Sequence, residues 1–225
     1  NSVVWGGNQE PYLLDTMETE LNDMANLNNE ESFRKFIDGE LGTGFIEAEE
    51  PFFRWSVGFK KEKLTEAINT HLYERIEAMP ENLLVMNAQG NYEKRAINSI
   101  GELVSIEVTK RGNSGIIEEM VITGTAETIL VTGQSNARAL LSPEAVEIRK
   151  QDGSVVKGWK TLPSGYFYVD DSNGFVIRGG GFGHGVGMSQ NGANDMAKLG
   201  YTASDIIGHY YTAVELKDMY EMMGK

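Results

Sequence analysis

Between Gly101 and Gly180 the chain alternates short apolar runs with glycine turns, a pattern that leaves little room for anything but antiparallel strands. ELVSIEVTKRGNSGIIEEMVITG sets Val104, Ile106 and Val108 on alternate positions before a Gly-Asn-Ser-Gly turn. AVEIRKQDGSVVKGW turns at Asp152–Gly153, and GYFYVDDSNGFVIRGG turns at Asn173–Gly174. Asp-Gly and Asn-Gly accept the positive φ angles that two-residue hairpin turns require, and period-two apolarity marks a strand with one buried face. TILVTG reads as a further strand, with QSNARALL as a short helix behind it.

The flanking segments predict helices. Upstream, PFFRWSVGF alternates Phe53, Trp55, Val57 and Phe59, a strand. KKEKLTEAINTHLYERIEAM then carries Leu64, Ala67, Ile68, His71 and Leu72 on one helical stripe, and Pro80 stops it. After the last hairpin come two short helices, one with Ala193, Met196 and Ala197 on a face, the other with Ile206, Ile207, Tyr210 and Tyr211. The expected class is α+β, an antiparallel sheet with short helices at its edges. Residues 1–50 read as an acidic, loosely structured segment continuing from a missing N-terminal part, with one short helix near Glu31 to Asp38. Residues 51–225 read as the α+β region.

Charge narrows the functions. The net charge is −13, and residues 1–50 carry twelve acidic residues against Arg34 and Lys35. Such a surface excludes polyanionic nucleic acid as a partner. There is no cysteine and there are three histidines, none at a ligand spacing from another, so no metal site is expected within the chain.

Six of the nine residues from Gly179 to Gly187 are glycine, and His184 stands among them. A phosphate loop would need Lys followed by Ser or Thr after its last glycine, and Val186 and Met188 occupy that region. Two alternatives remain on residue chemistry alone. One is a substrate groove floored by bare backbone, in which Gly183 and Gly185 allow close approach and His184, Ser189 and Gln190 supply polar contacts. The other is a tight turn around a buried, hydrogen-bonded histidine. Ser189 also suits the N-cap of the helix that follows. His209 pairs naturally with Asp205 four residues earlier, His71 belongs to the apolar stripe of its helix, and Trp5 and Tyr12 are aromatic residues able to line a sugar site or simply to pack.

GFGHGVGMSQNGANDMAKLGYTASDIIGHYY closely resembles the C-terminal signature of the SpoIID/LytB family, the stage II sporulation protein D type of cell-wall enzyme. Gly181 to Gln190 match that signature without a break, as do Gly192–Ala193, Met196–Ala197 and His209–Tyr210–Tyr211. VWGGNQEPYL, from Val4 to Leu13, resembles the family's segment in which Trp-Gly precedes Pro-Tyr-Leu. The chain departs from the pattern at Gly180, usually Arg, at Asn191, usually aromatic, and at Thr212–Ala213, usually Pro-Gly.

The resemblance implies a lytic transglycosylase that cleaves peptide-stripped peptidoglycan strands and leaves 1,6-anhydro ends. Its substrate groove would lie within residues 179–211, with His184 at the reacting end and Gly183, Gly185, Ser189 and Gln190 contacting the glycan. It implies an extracytoplasmic location, in the cell wall or on the membrane through an N-terminal anchor outside this chain, and cell-wall hydrolases or amidases as further partners. Such chemistry uses one carboxylic acid, which protonates the glycosidic oxygen and then takes the proton of the sugar's own 6-hydroxyl as the ring closes. The family's glutamate lies in a segment resembling Y-L-x-G-V-V-x-x-E-M-P, which this sequence lacks; IEAMPENLL has the Met-Pro in the wrong order along the chain. The resemblance thus places the catalytic Glu, and a zinc ion if there is one, upstream of Asn1, leaving this chain alone inactive. The alternative is a non-catalytic peptidoglycan-binding or amidase-enhancer module.

Overall fold

The computed structural model of the chain describes residues 10–14, 26–39, 44–172 and 174–217. Among them the fold is α+β, as the hairpin pattern predicts, but the strands form two five-stranded antiparallel sheets rather than one. The chain divides into two compact units. A larger one spans residues 23–43 and 49–185, and a smaller one spans residues 1–22, 44–48 and 186–225.

The larger unit opens with helix α1, Glu30–Ile37, whose N-cap Asn29 accepts from the amides of Glu31 and Ser32. Strand β1, Trp55–Phe59, follows, with Trp55, Val57 and Phe59 buried. Helix α2, Lys61–Ala78, buries Leu64, Ile68, Leu72 and Ile76 at helical spacing, each worth roughly 1.5–3 kcal/mol of transfer free energy. It ends one residue before the Met79–Pro80 pair, since the residue preceding a proline is held out of helical geometry. His71 sits partly buried on α2, beside the stripe rather than within its fully buried core.

Strands β2, Leu83–Met86, and β3, Tyr92–Glu93, lie in ENLLVMNAQGNYE, a stretch too short for a clear period. Strands β4, Leu103–Arg111, and β5, Ile117–Gly124, make the hairpin about the Gly112–Gly115 turn, and β6, Thr128–Thr132, pairs with β5. One detail differs from the alternating pattern. Val104 is exposed while Leu103 and Ile106 are buried, because the register slips between Leu103 and Ser105. A bulge of this kind lets two neighbouring residues oppose one, so the faces exchange.

Helix α3, Gln134–Leu140, follows β6. Strands β7, Glu147–Lys150, and β8, Val155–Lys157, close on Asp152–Gly153, with Gly153 at φ 81°. Strands β9, Phe167–Asp170, and β10, Phe175–Gly179, form the last hairpin; Gly174 has φ 94°, and Asn173 lies outside the described residues. The sheet orders are β8-β7-β1-β10-β9 and β3-β2-β6-β5-β4, and one hydrophobic core spans both. Strand β1 therefore lies at the centre of its sheet, with β10 hydrogen-bonded alongside it, Trp55 opposite Gly179.

The larger unit is braced by a buried arginine. Arg111, 2% exposed at its side chain, pairs with Glu30 at 2.6 Å and donates to the carbonyls of Gly115 at 2.9 Å and Phe167 at 2.8 Å. Its guanidinium carbon also lies 3.8 Å from the centre of the Phe33 ring. Burial pushes its pKa below the usual arginine value, and Glu30 offsets that shift.

The smaller unit holds helices α4, Gln190–Lys198, and α5, Ala203–Tyr210. Met196, Ile206 and Tyr210 form its core, with Ile46, Ala193 and Tyr211 packed around them. Thr202 caps α5 in a capping box with Asp205. Among the described residues no helix is long and apolar enough to cross a membrane.

Candidate functional site

The glycine loop leaves the end of β10 beside the central strand. Gly179 is dictated by packing. A Cβ there would lie 2.4 Å from the Trp55 ring, directly across the strand pair. Gly180, where the resembling signature has arginine, is also closed to side chains. A Cβ would stand 2.7 Å from the Phe53 carbonyl oxygen and 3.1 Å from Nη1 of Arg54. An arginine is nonetheless present in that space, supplied by Arg54. Its guanidinium donates to the carbonyls of Phe36 at 2.9 Å, Ile37 at 2.9 Å and Phe53 at 2.8 Å, and burial lowers its pKa to about 10.

Beyond Gly180 the backbone alternates. Gly181, Gly183, Gly185 and Gly187 have φ of 75°, 118°, 70° and 73°. A left-handed φ costs a non-glycine residue roughly 1–2 kcal/mol, so every second position here favours glycine. At Gly185 space adds to conformation, since a Cβ would fall 2.5 Å from Oη of Tyr166. Two hydrogen bonds hold Gly181, whose amide donates to the Phe52 carbonyl at 2.8 Å and whose carbonyl accepts from Nε1 of Trp55 at 3.1 Å. The amide of Gly183 donates to the Pro163 carbonyl at 3.0 Å. The loop is thus pinned to the larger unit by its backbone.

His184 stands between Gly183 and Gly185 with its side chain exposed. The sequence-based alternative of a buried histidine inside a tight turn does not hold. Beside it, Phe182 is 66% exposed and stacks on Phe52 at 5.2 Å between ring centres, with Trp159 at 5.5 Å from Phe182 and 5.3 Å from Phe52. Phe52 lies more than a hundred residues before Trp159 and Phe182 in the chain, so no local spacing announces the cluster.

Gly183, His184 and Gly185 are therefore consecutive in one loop of the larger unit, whereas Ser189 and Gln190 belong to the smaller one. Ser189 is the N-cap of α4, accepting from the amide of Gly192 at 3.1 Å, and Gln190 is the exposed first residue of that helix. The Ser189 hydroxyl also donates to the carboxylate of Glu47. Glu47 lies in the FIEAEE run of the acidic first fifty residues; its link to the signature is tertiary.

His209 departs from its expected partner. The Asp205 carboxylate accepts from the amide and hydroxyl of Thr202, at 2.8 Å and 2.6 Å, instead of from the histidine. Cap geometry captures Asp205 because it occupies the third helical position. Nε2 of His209 is buried and makes no hydrogen bond among the described residues, and the ring meets Tyr210 edge-on at 4.9 Å. Burial lowers its pKa. With the folded pKa below the unfolded one, protonation favours unfolding, so local stability is complete above about pH 6.5 and falls as pH drops through that value toward the folded pKa. Protection factors of the α5 amides, that is, exchange corrected for its intrinsic pH dependence, are expected to fall below about pH 6.5, and His209→Gln to remove that fall; pH-independent protection in the unsubstituted chain would contradict the burial argument.

Tyr12 lies 6.4 Å from Tyr211 between ring centres, and Thr212 bonds to the carbonyls of Pro11 and Tyr12, so Tyr12 packs within the smaller unit. Trp5 lies outside the described residues. Among the described residues no group of three or more His, Asp or Glu side chains is placed to hold a metal ion.

The described residues thus bring together a backbone-pinned glycine loop, one exposed histidine and an exposed aromatic ring two residues before it. Comparison with known proteins places the chain more closely. It belongs to the family described as a domain of unknown function (DUF8618), which matches residues 1–87 and 82–187. Stage II sporulation protein D of Bacillus subtilis is 51% identical over 45 residues, covering 20% of this chain and 13% of that protein. The amidase enhancer of the same organism is 30% identical over 139 residues, covering 60% of this chain and 19% of that protein. An uncharacterized protein of Brachyspira hyodysenteriae is 36% identical over 73 residues. The chain matches a fifth or less of the length of each of these relatives. The chain is thus similar to stage II sporulation protein D over a short stretch and to an amidase enhancer over a longer one.

Proposed function

We propose that this chain acts on the bacterial cell wall, outside the cytoplasm, by holding peptidoglycan glycan strands against the Gly179–Gly187 loop. The observation that carries this reading is the loop itself: a bare, pinned backbone with an exposed His184, in a chain similar to stage II sporulation protein D and to an amidase enhancer. The reaction served is lytic transglycosylation. A carboxylic acid protonates the glycosidic oxygen, the sugar's 6-hydroxyl attacks the anomeric carbon, and the carboxylate takes the hydroxyl proton as the 1,6-anhydro ring closes. His184 donates a hydrogen bond to the reacting sugar, and Gly183 and Gly185 let the strand approach the main chain. Ser189 and Gln190 are glycan contacts of the smaller unit, to be tested separately.

The test is His184→Ala in the full-length protein, with 1,6-anhydro ends from peptide-free strands read by mass spectrometry. A hydrogen bond to a group that gains charge in the transition state is worth roughly 1.5–3 kcal/mol, so turnover is expected to fall about 10- to 100-fold. Because the side chain is exposed, the thermal midpoint should not move. Unchanged turnover would remove His184 from the site.

A second reading has its own support. The match to the amidase enhancer spans 60% of this chain, against 20% for stage II sporulation protein D. On that reading the chain binds wall and stimulates an amidase without cutting glycan. Stimulation of a cell-wall amidase by the full-length protein, with no anhydro ends produced, would favour it.

A further inference from the structure

The stacked rings of Phe52, Trp159 and Phe182 have no part in the proposed reaction, yet their arrangement is unusual for a soluble surface. Phe52 and Trp159 are partly buried and pack against the core of the larger unit. Phe182 lies on both of them and remains 66% exposed. A single exposed aromatic residue needs no explanation. This one is held on two anchored rings, and its neighbours Gly181 and Gly183 are fixed by backbone bonds to Phe52, Trp55 and Pro163. The ring is therefore presented in a fixed orientation, which limits the ordering entropy lost when something settles on it.

The surroundings say what that is. A pyranose ring has one face of C–H groups and a rim of hydroxyls, and an aromatic face, with its negative quadrupole, attracts polarised C–H groups. The patch is three rings, close to the footprint of one or two sugars and small for a protein interface. Exposed His184 stands two residues from Phe182 in the chain.

The charge is also distinctive. In a chain of net charge −13, the segment from Arg149 to Lys160 carries Arg149, Lys150, Lys157 and Lys160 against Asp152 alone. Lys157 is engaged by Glu147, while Nζ of Lys150 lies 5.4 Å from the centre of the Phe52 ring, at the base of the stack. Cation and aromatic face together suit an anionic sugar. Peptide-free glycan strands are such a ligand, because stripping the stem peptide uncovers the lactyl carboxylate of each muramic acid.

We propose that Phe182, Phe52 and Trp159, with Lys150 at their edge, form a stacking subsite for one pyranose of a carboxylate-bearing glycan. The subsite anchors the strand so that the adjacent sugar meets His184. It rests on the glycan reading above and names the residues that grip the strand. Calorimetric titration of the complete chain with peptide-free strands, and in parallel with a neutral N-acetylglucosamine oligomer, tests it. Phe182→Ala and Phe182→Leu are expected to weaken binding of the strands about tenfold, and Phe182→Tyr to keep it within about twofold. Trp159→Ala should behave as Phe182→Ala, and thermal melting checks that each variant is folded. Lys150→Gln is expected to weaken binding of the strands and leave the neutral oligomer unaffected.

Wild-type affinity in both Phe182→Ala and Phe182→Leu would overturn the subsite and leave the glycan reading standing. Full affinity in Phe182→Leu alone would also overturn it, by showing that apolar area suffices without a ring. Equal effects of Lys150→Gln on both ligands would overturn the carboxylate preference. Absence of binding by the unsubstituted chain would overturn the subsite and the glycan reading together.

Discussion

Trp55→Ala is expected to lower the stability of the larger unit by about 3–5 kcal/mol, the usual cost of emptying a large buried aromatic site. Trp55 is 3% exposed, lies in the central strand of its sheet and faces Phe167 at 6.4 Å between ring centres. It fills the space that Gly179 leaves vacant, so no neighbour is placed to collapse into the cavity. Its indole also holds the Gly181 carbonyl. Trp55→Phe separates the two roles. It keeps most of the packing and loses the donor, for a cost of about 1–3 kcal/mol. If the loop depends on that bond, glycan affinity falls in Trp55→Phe even at temperatures where the variant is fully folded. Urea unfolding gives the first quantity and titration the second. A loss below about 1 kcal/mol in Trp55→Ala would mean that the strand pair repacks.

Arg111→Ala is the second large effect, again about 3–5 kcal/mol, because removing one member of a buried ion pair strands its partners. The carbonyls of Gly115 and Phe167 lose their donor, and Phe33 loses the guanidinium above its ring. Glu30 keeps Arg34 at 2.9 Å, so the carboxylate itself is not abandoned. The damage should therefore centre on the two carbonyls. Arg111→Lys is expected to recover less than half of the loss, since one ammonium cannot reach three acceptors held at the angles of a planar fork. Urea unfolding of the three proteins distinguishes this from a simple charge effect, in which Lys would restore nearly everything.

Much of the fold is readable along the chain. The three hairpins, α1, α2, α3 and the two last helices stand where alternation, turn residues and apolar stripes place them, because each is specified by neighbours within a few residues. Strands β2 and β3 escaped, being short and lacking an alternating run. The assortment of the described strands into two sheets is equally invisible locally, since β1 pairs with β7 and β10 far along the chain. Val104 shows how a single bulge defeats a correct period. In the site, the glycine loop and His184 are legible because their composition is so biased. The partners are not. Tyr166 beneath Gly185, Trp55 beneath Gly179, Arg54 beside Gly180 and Glu47 on Ser189 all arrive through tertiary structure. His209 misled for a related reason, as Asp205 had a nearer claim in the cap of its own helix.

The division of the chain has a practical corollary for dissecting it. All the strands of both sheets, the three helices packed with them, the aromatic stack and His184 fall between Asn26 and Gly185. Only residues 44–48 within that stretch belong to the smaller unit, which is otherwise drawn from the two ends of the sequence. A recombinant piece ending at Gly185 would thus retain the stacked rings and the imidazole while discarding Ser189, Gln190 and both closing helices. Titrating that piece with peptide-free glycan strands would test the proposed subsite apart from the C-terminal helices.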